Sequence, residues 1–177
     1  MQFPHLPPAP YLYDDVSAFA FIADHHDDDS WIAGFFPVAP TGPFSEVWKL
    51  KRSFAGWTPQ TIVVDNPVRM KAGREIWHLP KIWGEVRLAV GNDQHHVTTI
   101  AHGQTEHLVI RRLGSGRPKT FRGSFELILP GGRTATLRFQ PTNSSFPASI
   151  GSNRRGYLFE FRGAAELTAP TALADVA

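Results

Sequence analysis

The sequence predicts a mainly β, single-domain protein, an antiparallel barrel with one or two short helices. Three observations carry that reading. From residue 84 onward, apolar and polar side chains alternate with a period of two. Turn clusters such as Pro40-Thr41-Gly42-Pro43, Gly91-Asn92-Asp93 and Pro130-Gly131-Gly132 separate the alternating runs. Only residues 67–77 read as helix. Evenly spaced strands with little helix favour a closed or nearly closed barrel. The 177 residues are 42% hydrophobic and 19% charged, which suits one domain with a real core.

The N-terminal residues 1–10 hold Pro4, Pro7, Pro8 and Pro10 and read as an extended arm. Residues 16–23 are aromatic and strand-like. His25-His26-Asp27-Asp28-Asp29 follows, but consecutive side chains cannot all face one ion, so this is an exposed loop. Residues 31–39 are an apolar run. In 44–54, Glu46, Trp48 and Leu50 share one face, while Ser45, Val47, Lys49 and Lys51 share the other. Glu46 therefore points inward, where a carboxylate needs a partner or a job. Residues 61–64 are β-branched. The 67–77 helix has Gly73 as a weak point and must stop near Trp77, because Pro80 cannot enter a helix interior.

Val86, Leu88 and Val90 then alternate with Glu85, Arg87 and Ala89. Residues 96–101 and 106–113 make strands around His102-Gly103-Gln104, and Gly114-Ser115-Gly116 is a loop. His102 and His107 could meet across that hairpin, yet no Cys or H-E-x-x-H spacing supports zinc, and no metal is expected. Phe121, Phe125, Leu127 and Leu129 line a strand that pairs with 133–140 across the Pro130 turn. Residues 142–155 are polar and read as a long connection, a candidate lid or interface loop. Tyr157, Phe159 and Phe161 line the last long strand, and 169–177 is a weakly ordered tail.

One stretch concentrates chemistry. Gly73-Arg74-Glu75-Ile76-Trp77-His78-Leu79-Pro80-Lys81-Ile82-Trp83-Gly84 sets Lys81 among Ile76, Trp77, Leu79, Ile82 and Trp83. Desolvation disfavours the ammonium and lowers its pKa. Only a neutral amine attacks a carbonyl, and at an ordinary pKa roughly one lysine in a few thousand is neutral at pH 7. Burial would make Lys81 a nucleophile.

Gly73-Arg74-Glu75 followed by Pro80-Lys81, with Val64-Asp65-Asn66-Pro67 upstream, resembles the G-R-E-x-x-x-x-P-K signature of the acetoacetate decarboxylase family. The resemblance covers about residues 44–90. It implies a cone-like antiparallel barrel in which the lysine forms a Schiff base with a keto acid and the iminium takes up the electrons left by carbon dioxide. It also implies Glu46 as acid or base beside Lys81, with Arg74, Trp48, Trp77, His78 and Trp83 at the substrate. Three departures stand out, the first being that the family's second pocket carboxylate has no clear match between Trp31 and Ser45. The family's second lysine is Ile82 here, and the chain has no Lys or Arg before Lys49, where the family holds the substrate carboxylate with an arginine. Weak or no activity on acetoacetate itself is therefore expected.

The remaining features narrow the class. A net charge of +2, scattered along the chain, gives no nucleic-acid footprint. No cysteine is present, and no apolar run reaches membrane length. The first residues do not read as a signal peptide, so cytoplasm is the expected location. No dinucleotide, phosphate-loop or serine-hydrolase motif occurs, and no cofactor is expected. The leading expectation is a lyase-type Schiff-base enzyme on a small carbonyl compound, probing either decarboxylation or an aldol, dehydration or cyclisation step. A barrel that binds an apolar small molecule without catalysis is the alternative, and a purely structural subunit is a third reading. The proline-rich arm and the aromatic strands, with the family's habit of assembling, predict a homo-oligomer.

Overall fold

The strand β1 (Tyr11–Ala23) has two apolar faces. Tyr11, Tyr13, Val16, Ala18, Ala20 and Ile22 join one core, and Phe19, Phe21 and Ala23 join another. An alternating strand buries one face only; a strand apolar on both must lie between two layers. The computed structural model describes residues 5–114 and 119–172, with 141–144 described by backbone alone.

The chain continues as β2 (Ser30–Phe36), β3 (Phe44–Arg52), β4 (Trp57–Val64), α1 (Pro67–Ile76), β5 (Lys81–Trp83), β6 (Glu85–Val90), β7 (Gln94–Ala101), β8 (Gln104–Arg112), β9 (Ser124–Leu129), β10 (Arg133–Ile150), β11 (Arg154–Leu167) and β12 (Thr171–Ala172). Pairing runs β11-β1-β2-β3-β4-β9-β10, and β10 pairs again with β11, which closes a 7-strand barrel. Closure leaves its wall without a free edge. The barrel is antiparallel except at one seam, where β4 meets β9 in parallel at Trp57 and Leu127. The short β5 also lies parallel to β4. One helix stands among the described residues.

The second layer is the meander β6-β7-β8, which leaves the barrel through β8 beside the end of β10. Val97 and Ile110 from this meander pack on Phe19, Phe21, Ala33, Val47 and Leu158 from the outside of the wall. The inner core holds the other face, including Phe36, Phe44, Trp48, Phe125, Phe139 and Phe161.

Three expectations need correction. Residues 142–155 are not a long connection: β10 runs through Ile150 and β11 starts at Arg154. Their polarity is compatible with a strand because the backbone finds partners on two sides. Ala148, for instance, pairs with Gly156 on β11 and Arg112 on β8. Ser145 is buried by bonding the backbone of Lys119, accepting from its N–H at 2.6 Å and donating to its carbonyl at 2.5 Å. The first strand begins at Tyr11, not at residue 16, because a register shift between Tyr13 and Val16 hides the alternation. The start of the expected loose tail is ordered, since Thr171 and Ala172 pair with Thr134 and Arg133.

The described part of the arm packs on its own domain. Leu6 and Ala9 touch the inner core, and the Tyr11 hydroxyl donates to the Pro7 carbonyl at 3.0 Å. Ser115 and Gly116 of the expected loop, and 173–177 of the tail, lie outside the described residues. No helix among the described residues is long and apolar enough to cross a membrane.

Ile110 lies fully buried between the meander and the wall. Ile110→Ala should cost about 2–5 kcal/mol in urea denaturation, the usual range for emptying a packed core position. A cost under about 1 kcal/mol would mean that the meander is not packed on the barrel.

Candidate active site

The segment between β4 and β5 is tied down at each end. Asp65 Oδ1 accepts from the Ser45 N–H at 2.6 Å, and the Asp65 N–H donates back to the Ser45 carbonyl at 3.1 Å. Asn66 caps α1 by accepting the Arg69 N–H at 2.9 Å. Its amide also donates to the carbonyls of Thr41 and Pro43, and Pro67 fits the first helical turn. At the far end, the Trp77 and Leu79 N–H groups both donate to the Gly73 carbonyl, so the helix closes on itself before Pro80.

Arg69, Ala72 and Gly73 form the buried face of this helix. Gly73 is not a defect in it. A Cβ there would lie 2.5 Å from Lys81 Cδ and 2.7 Å from Lys81 Cε, so the lysine stem passes across the glycine. The backbone of Lys81 is held from outside: Arg74 Nε donates to its carbonyl at 2.6 Å. Parallel pairing sets Lys81 beside Ile62, which in turn pairs with Trp48.

Lys81 is completely buried, and its Nζ donates to Glu46 Oε2. The Trp48 ring lies 5.4 Å from Nζ and the Phe44 ring 5.9 Å. The same carboxylate oxygen also faces Arg69, likewise fully buried, with Nε 3.8 Å from Glu46 Oε2. That distance gives attraction between charges but no hydrogen bond. The guanidinium is caged by Phe44 at 5.1 Å, Tyr11 and Tyr13 at 5.3 Å, and Trp77 at 5.7 Å. Arg69 Nε and Nη1 and the Tyr13 hydroxyl are buried without hydrogen-bond partners among the described residues. Unpaired donors of this kind are costly and call for a reason.

Two cations therefore share one carboxylate. Burial, then the Arg69 charge, holds the Lys81 pKa down to about 7, against the opposing pull of Glu46. Burial alone would raise the Glu46 pKa, but Lys81 and then Arg69 outweigh it and keep the carboxylate ionised. Burial pushes the Tyr13 phenol well above its ordinary value, so it stays protonated. Arg69 thus supplies the neighbouring cation that the sequence lacks at Ile82.

The residues singled out from sequence divide sharply. Lys81, Glu46 and Trp48 come together. Trp77 is buried but walls Arg69, donating its Nε1–H to the Thr168 carbonyl at 2.8 Å. Three placements need correction. Arg74 braces the backbone of Lys81 from an exposed position instead of reaching the amine. His78 is exposed in the left-handed region, with φ 54°, and turns away beside Pro80. Trp83 is 63% exposed, because β5 ends there and its side chain passes beyond the barrel. The apolar shell of Lys81 comes from strand neighbours, not chain neighbours. Arg69, Tyr13 and Phe44 were not foreseen. The spacing did carry a signal for Arg69: it lies four residues before Gly73, on the same helix face.

The histidine pairing also differs from expectation. His102 sits in the β7–β8 turn, and His107 instead meets His96. Asp29 of the acidic loop holds Lys49 at 3.1 Å and Lys51 at 3.0 Å.

No family model matches the chain, and no curated protein matches it in sequence. Solved structures do. The chain is similar to acetoacetate decarboxylase from Legionella pneumophila, with a TM-score of 0.66 and 14% identity over 99% of this chain and 92% of that one. It is similar to MppR, an enduracididine biosynthesis enzyme complexed with pyruvate, with a TM-score of 0.59 and 13% identity over 97% and 93%. An acetoacetate decarboxylase-like enzyme from Sphingomonas wittichii gives 0.56 and 12% identity over 93% of each chain. At these identities the likeness establishes the fold.

Two measurements follow. Because the folded Lys81 pKa of about 7 lies below its ordinary 10.5, the unfolded chain binds more protons between those values. Stability should therefore rise with pH across that window. Comparing urea midpoints near about pH 7 and about pH 9.5, Lys81→Met should flatten the rise; an identical rise in the variant would refute the assignment. Gly73→Ala should keep the helix, whose propensity it improves by about 1 kcal/mol, yet displace the lysine stem. A crystal structure of the variant with Lys81 Nζ still on Glu46 would contradict this.

Proposed function

We propose that the protein is a Schiff-base-forming enzyme of lyase type, acting on a small keto acid through Lys81. The observation that carries this reading is a fully buried lysine with its pKa held near 7, sharing the Glu46 carboxylate with an Arg69 guanidinium that has free donors. The neutral amine attacks the substrate carbonyl, and loss of one water gives the imine. Glu46 accepts and returns the protons of these steps. The protonated iminium then withdraws the electron pair of the adjacent carbon–carbon bond, or of a carbon–hydrogen bond, to give an enamine. Protonation at carbon and addition of one water release the product and restore the amine.

Charge balance supports an anionic substrate. With Lys81 neutral, Glu46 and Arg69 cancel. Forming the iminium adds one positive charge to a buried site, where uncompensated charge is expensive. A substrate carboxylate restores neutrality, and Arg69 Nε and Nη1 are donors suited to it. The missing N-terminal arginine is thereby replaced from α1. Weak activity on acetoacetate is the expectation without such a grip; with Arg69 as the grip, acetoacetate joins the substrates to be tried. A second reading, aldol-type condensation at the same lysine, is supported by the MppR structure that holds a condensation product of pyruvate and imidazole 4-carboxaldehyde. Carbon dioxide release from acetoacetate favours the first reading; consumption of pyruvate and an aldehyde without gas favours the second.

The test is covalent trapping. With 2,4-pentanedione and cyanoborohydride, peptide mapping should place the adduct on Lys81 among the five lysines of the chain, and Lys81→Met should remove it. Arg69→Met should lower trapping of acetoacetate or pyruvate by roughly 10–100-fold relative to the neutral diketone, the worth of a charge-assisted contact. Comparing the two probes within each protein cancels any change in amine pKa. Label spread evenly over all five lysines would refute the enzyme reading, and equal losses for both probes would remove Arg69 from substrate binding.

A further inference from the structure

The outer face of the meander carries a second constellation, unconnected to Lys81. Along β7 the side chains alternate. His95 faces the barrel, is fully buried, and meets Glu160 Oε1 at 2.9 Å. His96 and Thr98 face outward. Thr98 is paired with His107 on β8, so His96, Thr98 and His107 lie together on two hydrogen-bonded strands. The sheet backbone fixes their spacing without help from loops.

His96 Nδ1 and His107 Nε2 face each other at 3.4 Å. That is beyond the ~2.7–3.2 Å of ordinary hydrogen bonds to nitrogen donors. It is close to the separation of two nitrogens on one tetrahedral metal. With metal–nitrogen bonds of about 2.0–2.1 Å, that edge is about 3.3–3.4 Å. The other nitrogen of His107, Nδ1, lies 2.8 Å from Thr98 Oγ1. If Nδ1 carries the hydrogen and donates to that hydroxyl, Nε2 presents its lone pair toward His96. Metal-binding histidines are commonly held this way, the far N–H fixed by a neighbour. Both rings reach solvent, and the nearby cation Arg87 is engaged by Glu85 at 2.5 Å.

We propose that His96 and His107 form a binding site for a divalent transition metal of the copper, nickel or zinc class, with Thr98 orienting His107. Among the described residues no third His, Asp or Glu joins them, so water completes the coordination. The site bridges β7 and β8 and restrains the outer layer of the fold.

The experiment uses copper(II), the strongest binder of the divalent series, titrated into the full chain in a non-coordinating buffer. Electron paramagnetic resonance should show one copper per chain bound by two nitrogens. His96→Ala and His107→Ala should each weaken binding by at least about tenfold, and Thr98→Val should weaken it less, while keeping both ligands. His25→Ala with His26→Ala should change nothing. Copper should also raise the melting temperature of the wild type but not of the two ligand variants. All these side chains lie on the surface, so the metal-free variants should melt as the wild type does. Unchanged affinity in His96→Ala or His107→Ala, or loss of binding in the His25/His26 double variant, overturns the site.

Discussion

The hydrogen bond between Lys81 and Glu46 is the constraint around which the interior is arranged. Neither charge could be buried alone; paired they cancel, and Arg69 adds a surplus positive charge that favours the neutral form of Lys81. The carboxylate is held ionised by two cations, and the cation with the lower intrinsic pKa is the one that yields its proton. Every local oddity nearby serves that arrangement. The helix carries a glycine so that the lysine stem can pass. An arginine outside the barrel holds the strand carbonyl. Four aromatic rings enclose the second guanidinium, where water would otherwise enter.

Keeping such a site dry requires a wall that does not breathe. The wall strand β1 is apolar on both faces, and Ala33 of β2 and Val47 of β3 extend its outer apolar patch, because the meander covers them. The protein therefore spends three further strands on the exterior of a barrel that is already closed. Their role is structural insulation: Phe19 and Phe21 on one side of β1 back up Ala18 and Ala20 on the other.

What the sequence disclosed, and what it hid, follows from range. Glu46 was legible because strand parity is a local property. The 67–77 helix was legible because Pro67 can open it and Pro80 must stop it. The mainly β barrel was legible from alternation after residue 84. The region 142–150 was misread because its polar residues belong to a strand with neighbours on both edges, a long-range fact. Trp83 was misjudged because apolar residues adjacent in sequence need not share an environment when a strand is three residues long. Arg69 escaped because a charged helical residue ordinarily faces solvent; only the passage of Lys81 across Gly73 reveals which face is inside.

The barrel pairing most distant in sequence joins β1 to β11, with Tyr11 opposite Leu167. Nearly the whole chain separates the two partners. On the ribosome, β1 emerges early and waits through the synthesis of every other barrel strand before its second neighbour exists. Its aromatic outer face is likewise bare until the meander has been made. Such non-local closure slows folding and leaves apolar strand edges open to wrong partners in the meantime. Production of this protein should accordingly depend on the rate of translation and on chaperone supply more than its folded stability would imply.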